Sequence, residues 1–156
     1  MTKWRVCMIL VVGLLLAADG PEDVVKKENE NLVGTWKVVS IEANGKEFPA
    51  EATKDFQFIF TADFLTRRKG GKLESRAGYK LDPSKSPKWL DMTGKHDGKD
   101  HAVPALYELE GDTLRLCFRL DFKAKTKARE PLVRPTRLGA GEGSGQVLMV
   151  LKREKP

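Results

Sequence analysis

The chain has 156 residues, with 28 Lys or Arg against 22 Asp or Glu and a formal net charge of +6. That length suits one domain, and two cysteines cannot make a disulfide-dense scaffold. No acid–base pair, nucleophile beside a base or phosphate-cradling glycine loop stands out, so the reading is of a non-enzyme with no cofactor.

Met1-Thr2-Lys3-Trp4-Arg5 brings two positive charges ahead of the apolar run Val6 to Ala18. That run is shorter than the roughly 20 residues needed to cross a bilayer core and fits a secretory signal. Residues 1–18 are therefore predicted to be a signal peptide cleaved after Ala18. The expected location is secreted, periplasmic or cell-envelope, with no stable transmembrane segment after cleavage. Loss of Lys3, Arg5 and Cys7 leaves a net charge of +4 and Cys117 as the single thiol, so no intrachain disulfide can form.

Residues 19–31 read as a charged tether or a short helical turn, and 32–156 as the folded domain. Gly34-Thr35-Trp36 opens a strand through Ala43, which ends at Asn44-Gly45, a strong hairpin turn signal. Pro49 to Asp55 allows one helical turn. Phe56, Phe58 and Phe60 then alternate along a strand, placing three rings on one face. A strand over Phe64 to Arg68 turns through Lys69-Gly70-Gly71-Lys72 into Leu73 to Leu81, whose alternation marks a sheet with one wet face.

Asp82 to Pro87 is a turn cluster, and Lys88 to Thr93 a short strand. His96 to His101 reads as a solvated loop, with its two histidines and two aspartates too loosely supported for a metal site. Ala105 to Glu110 and Thr113 to Leu120 form a hairpin about Gly111-Asp112. Gly139, Gly141, Gly143 and Gly145 make a flexible loop before the closing strand Gln146 to Arg153. About eight sequential antiparallel strands favour an all-β, up-and-down barrel, which leaves no exposed sheet edge.

The expected inner wall comprises Trp36, Val38, Phe56, Phe58, Phe60, Tyr79, Leu114, Leu116, Phe118, Met149 and Leu151. With Leu114, Leu116 and Phe118 inward, Cys117 shares the outer face with Arg115 and Arg119 and is expected to be a small residue packed under a basic loop. Residues 113–137 hold eight Lys or Arg (Arg115, Arg119, Lys123, Lys125, Lys127, Arg129, Arg134, Arg137) against Asp121 and Glu130, a net of +6. Nucleic acid is not an expected partner, because the segment lacks the interleaved aromatics of a base-stacking surface.

Four stretches, Leu32 to Val39, Tyr79 to Lys85, Tyr107 to Phe118 and Gly143 to Leu148, resemble a largely uncharacterised lipocalin-like domain family of planctomycetes. The resemblance implies a calycin-type barrel and export, and no particular activity. In calycins a glycine two residues before a tryptophan opens the first strand, and an arginine near the end of the last strand stacks on the indole. Gly34, Trp36 and Arg153 match those positions and are expected to close the barrel base. The opening also resembles that of fatty-acid-binding proteins. Only Lys46 to Asp55 stands where those have a helical lid, and Val147 to Lys152 carries no Arg-x-Tyr carboxylate clamp.

Two functions are expected from this reading. The first is binding of a small apolar ligand against Trp36, Val38, Phe56, Phe58, Phe60, Tyr79, Leu116, Phe118 and Met149. The alternative is a packed barrel that contacts an anionic envelope or protein partner through residues 113–137.

Overall fold

A computed structural model describes residues 20–96, 98–120 and 132–155. The elements in order are α1 (Pro21–Leu32), β1 (Gly34–Ala43), β2 (Lys46–Glu47), α2 (Ala50–Thr53), β3 (Phe56–Phe60), β4 (Phe64–Lys69) and β5 (Lys72–Asp82). They continue with β6 (Lys88–His96), β7 (Lys99–Glu110), β8 (Thr113–Arg119) and β9 (Gln146–Arg153). Every pairing is antiparallel between neighbours in the chain, apart from the two-residue β2, and β1 pairs again with β9 to close an eight-stranded barrel. The expected all-β, up-and-down, lipocalin-like barrel is the fold observed.

The turns β3–β4, β5–β6 and β7–β8, together with α1 and the end of β9, lie at one end, here called the base. The turns β1–β3, β4–β5, β6–β7 and β8–β9 lie at the other, upper end. Partners in an antiparallel pair share a face, so register carries the inward set round the barrel. Trp36 opposes Phe58 and Arg153, Tyr79 opposes Met92, and Tyr107 opposes Leu116, which opposes Met149.

Two irregularities keep that inward set continuous. Between Val38 and Ser40 the β1–β9 register shifts, leaving Val39 outside and 46% exposed. Were Val39 paired regularly instead of bulged, Ile41 and Ala43 would point away from the core that Trp36 and Val38 face. A second shift between Arg67 and Arg68 leaves Glu74 unpaired on β5.

The sequence reading differs from the structure in two elements. The 19–31 tether is a twelve-residue helix from Pro21, with Glu22 and Asp23 in its first turn, where acids favour the positive end of the helix dipole. Its inward stripe is Val25, Glu28, Asn29 and Leu32, at helical spacing, and Leu32 is fully buried. The His96–His101 loop is instead the tip of a long β6–β7 hairpin, with His96 opposite Lys99 and Gly94 opposite His101. Strand pairing there continues past Thr93, because the two arms can hydrogen-bond without any apolar alternation.

Leu114, Leu116 and Leu151 are wholly buried in the barrel interior. Replacing Leu114 by Ala is expected to cost about 2–5 kcal/mol in urea unfolding, the range for truncating a packed leucine.

Candidate functional site

The base is sealed by a network centred on Trp36 and Arg153. The Arg153 guanidinium lies over the indole, 4.2 Å from the ring centroid. Trp36 Nε1 donates to Leu32 O at 2.8 Å, while Arg153 Nη1 donates to Val33 O at 2.8 Å and Nη2 donates to Asn31 O. Three consecutive carbonyls at the end of α1 are thereby satisfied, which matters because the last turn of a helix leaves its carbonyls without internal partners. The last turn of α1 holds no basic residue, so the cation that complements its dipole comes from β9. Asp112 adds an ion pair to Arg153 Nε at 3.4 Å. Gly34 adopts φ +140°, and a Cβ there would lie 2.7 Å from Arg153 Nη1. That space is needed by the guanidinium, so the glycine is a packing requirement as well as a backbone one.

Beside this network the buried Tyr79 hydroxyl sits between Thr61 O, at 2.6 Å, and Asn29 Oδ1. Asn29 Nδ2 donates to Ala62 O at 2.8 Å, tying α1 to the β3–β4 turn. Burial, reinforced by the charge of Asp63, pushes the Tyr79 phenol up to about 12. The Tyr107 hydroxyl is also buried and lacks a well-aligned hydrogen-bond partner. Burial, with Glu28 nearby, raises its ionisation above the ordinary phenol range. Glu28 itself pairs with Lys88 at 2.5 Å.

Of the expected inner-wall residues, Trp36, Val38, Phe58, Phe60, Tyr79, Leu114, Leu116, Phe118, Met149 and Leu151 are buried in one cluster. Phe56 is only partly buried, with Lys69 Nζ 4.8 Å from its ring centroid. Sequence reasoning missed Leu32, Ala43, Leu65, Leu90, Ala105, Tyr107 and Val147, which complete that cluster. The alternation Val103, Ala105, Tyr107, Leu109 was the available signal. Burial is uneven along the barrel. Trp36, Phe60, Tyr107, Leu114 and Leu151 are at most 1% exposed, whereas Ile41, Phe56, Met92 and Val103 toward the upper end, and Leu81 and Leu109 toward the base, are only partly covered.

Outside the sheet, a strap over residues 132–140 crosses β6, β7 and β8. Arg134 anchors it: its guanidinium stacks 4.2 Å from the Trp89 ring centroid, Nη1 donates to Ala105 O at 2.7 Å, and Nη2 pairs with Asp91 at 2.5 Å. Under the strap lie Leu106 and Cys117, register partners on the outer face, at 1% and 0% exposure. The Cys117 thiol faces Gly139 O at 3.4 Å and Arg137 O at 3.6 Å, and burial raises its ionisation despite the nearby Arg119. Free cysteine buried in this way is protonated and unreactive. The glycine-rich loop after the strap packs on the Asn44-Gly45 turn. Gly45, at φ +82°, donates to Ala140 O, and a Cβ on it would meet Glu142 N at 2.8 Å.

The basic segment is divided by these contacts. Arg134 is spent on the strap, and Arg115 pairs with Glu108 at 3.3 Å. Lys123, Lys125, Lys127 and Arg129 lie outside the described residues, as does the predicted signal peptide. Among the described residues no group of three or more His, Cys, Asp or Glu is placed to hold a metal ion, and no helix is long and apolar enough to cross a membrane.

No protein-family model, curated protein or solved structure matches the chain.

Two substitutions test these arrangements. Arg153→Gln removes the indole stack and the carbonyl caps, and is expected to lower unfolding stability by about 1–3 kcal/mol, with Arg153→Lys recovering only part of it. Arg134→Ala is expected to raise the rate of maleimide labelling of Cys117 in the native protein about tenfold or more, because the thiol reacts only when the strap opens. An unchanged rate would show that Arg134 does not hold the strap.

Proposed function

We propose that the chain is an exported, non-catalytic, lipocalin-like carrier that holds a small apolar molecule in the upper half of its barrel. The observation that carries this reading is the uneven burial of the interior. The base is packed tight around Trp36, Phe60, Tyr107, Leu114 and Leu151, while Ile41, Phe56, Met92 and Val103 leave apolar surface partly uncovered. Apolar surface at the end of an eight-stranded barrel fits one small ligand, and such a barrel is just wide enough to admit it. Phe58, Phe118 and Met149, at 6%, 7% and 9% exposure, would form the floor. Above the floor the inward face also carries Arg67, Lys69, Ser75 and His101 by register, so the ligand would meet apolar surface below and polar groups near the mouth.

Export supports a carrier role because an apolar molecule outside the cell needs shielding from water. It rests on the Lys3–Arg5 charges followed by the apolar run to Ala18. The alternative, a packed barrel contacting an anionic partner through residues 113–137, loses Arg115 and Arg134 to internal pairs. It then depends on Arg119, Lys123, Lys125, Lys127, Arg129 and Arg137.

Titrating a solvatochromic apolar dye into the chain from residue 19 onward is expected to give saturable binding with a blue-shifted emission. Val103→Trp, which fills the upper end, is expected to weaken the dye by about tenfold or more, equivalent to about 1.4 kcal/mol, with little change in thermal unfolding. A titration that never saturates would remove the carrier reading.

A further inference from the structure

The rim of the upper end carries a second concentration of charge. Residues 67–76 hold Arg67, Arg68, Lys69, Lys72 and Arg76 against Glu74 alone, a net of +4. They form the β4–β5 hairpin, whose residues 68–76 are exposed without interruption. Its turn, Gly70-Gly71, has both φ values positive and open space around both Cα atoms, so the tip projects from the barrel. At the tip Arg68 opposes Leu73 and Lys69 opposes Lys72. The first pair shares the outer face and the second the face toward the mouth, where Lys69 lies over Phe56.

The nearby acids do little to neutralise this tip. Glu74 pairs with Arg67 at 3.0 Å and Glu51 with Lys54 at 2.8 Å, while Asp55 meets the turn through its backbone carbonyl, which accepts from Gly70 N. Among the described residues Arg68 and Lys72 have no carboxylate within ion-pair distance, and Arg76 is stacked on the exposed Phe64 ring, 3.8 Å from its centroid. Set among these cations, Leu73 is 64% exposed, which buries no apolar surface in the free protein.

We propose that the β4–β5 hairpin docks the upper end of the barrel onto an anionic phospholipid bilayer. Unpaired lysines and arginines are drawn to the negative headgroup layer, and their long apolar stems can lie along the interface while the charges stay hydrated. Leu73 decides between a membrane and a soluble polyanion. A projecting leucine gains nothing from a hydrated acidic polymer, but in a bilayer it enters the acyl boundary as the flanking charges settle among the phosphates. Docking in this orientation turns the mouth, with Phe56 beside the hairpin, toward the lipid. If the carrier reading also holds, the ligand then passes between barrel and bilayer without crossing water.

The test is co-sedimentation of the chain from residue 19 onward, whose closed barrel is complete without the leader. Vesicles of phosphatidylglycerol mixed with phosphatidylcholine are compared with vesicles of phosphatidylcholine alone. Binding is expected only to the anionic vesicles and is expected to fade as NaCl rises from about 0.05 M to about 0.5 M. Lys69→Gln with Lys72→Gln is expected to lower the partition coefficient about tenfold, and Leu73→Ser about threefold, with unchanged thermal unfolding because all three side chains are exposed. Lys123→Gln, Lys125→Gln and Lys127→Gln together are expected to change it far less. Loss of binding in that triple variant instead of the hairpin variants would overturn the proposal. So would equal retention on dextran sulfate with no effect of Leu73→Ser, which would indicate a soluble polyanion. The vesicle and dye measurements are independent. Vesicle binding without dye binding supports docking and removes the carrier; dye binding without vesicle binding does the reverse.

Discussion

The stack of Arg153 on Trp36 is the interaction on which the rest of the structure depends. It joins the last strand to the first, which are adjacent in the closed barrel but separated by more than a hundred residues of chain. It also supplies the donors that the end of α1 needs, since Asn31, Leu32 and Val33 present their carbonyls to the guanidinium and the indole. A helix whose last turn lacks cations is thus held at the base by one residue from the opposite end of the sequence. Gly34 has to be a glycine for the same reason, because any Cβ would occupy the space of the Arg153 guanidinium.

Around that base the two ends of the barrel are covered by different segments. The difference follows from where the chain connections run. At the base α1 lays Leu32 into the barrel floor and ties Asn29 to Tyr79 and Ala62. At the upper end the β1–β2 turn is occupied with the glycine-rich loop, and the 132–140 strap packs on the outside of β6, β7 and β8 instead of capping the interior. A second small core results under that strap, with Leu106 and Cys117 facing away from the main one. The sheet between β6 and β8 therefore buries both faces, and elsewhere mainly one.

Much of the fold was legible in the chain because the period-two alternation is strong wherever one face of a strand is wet. β3 and β9 have the bounds that alternation gives, and Asn44-Gly45 turns the chain where a two-residue hairpin was expected. The helix was not legible as such. Its inward stripe has Glu28 and Asn29 between Val25 and Leu32, polar residues that are accommodated by Lys88, Tyr79 and Ala62, three partners from other elements. The Val39 bulge was equally hidden, since an extra residue in a strand has no composition of its own. The basic β4–β5 hairpin was hidden in the charge count, because acids elsewhere in the chain offset it.

By itself the sequence determined the strand count and the antiparallel order, because alternation and turn chemistry are local and the barrel closes in chain order, while the stack of Arg153 on Trp36 was implied by the resemblance to calycins. Only the tertiary structure decided which cations are consumed and which are free. Arg134 and Arg153 stack on indoles and bond carbonyls, whereas Arg68 and Lys72 stand unpaired on a projecting turn, and nothing in the identity of an arginine or lysine distinguishes these fates. The same holds for the interior. How much of it is filled depends on how far the two ends of the barrel are covered by distant segments, a property of long-range packing that no local pattern encodes.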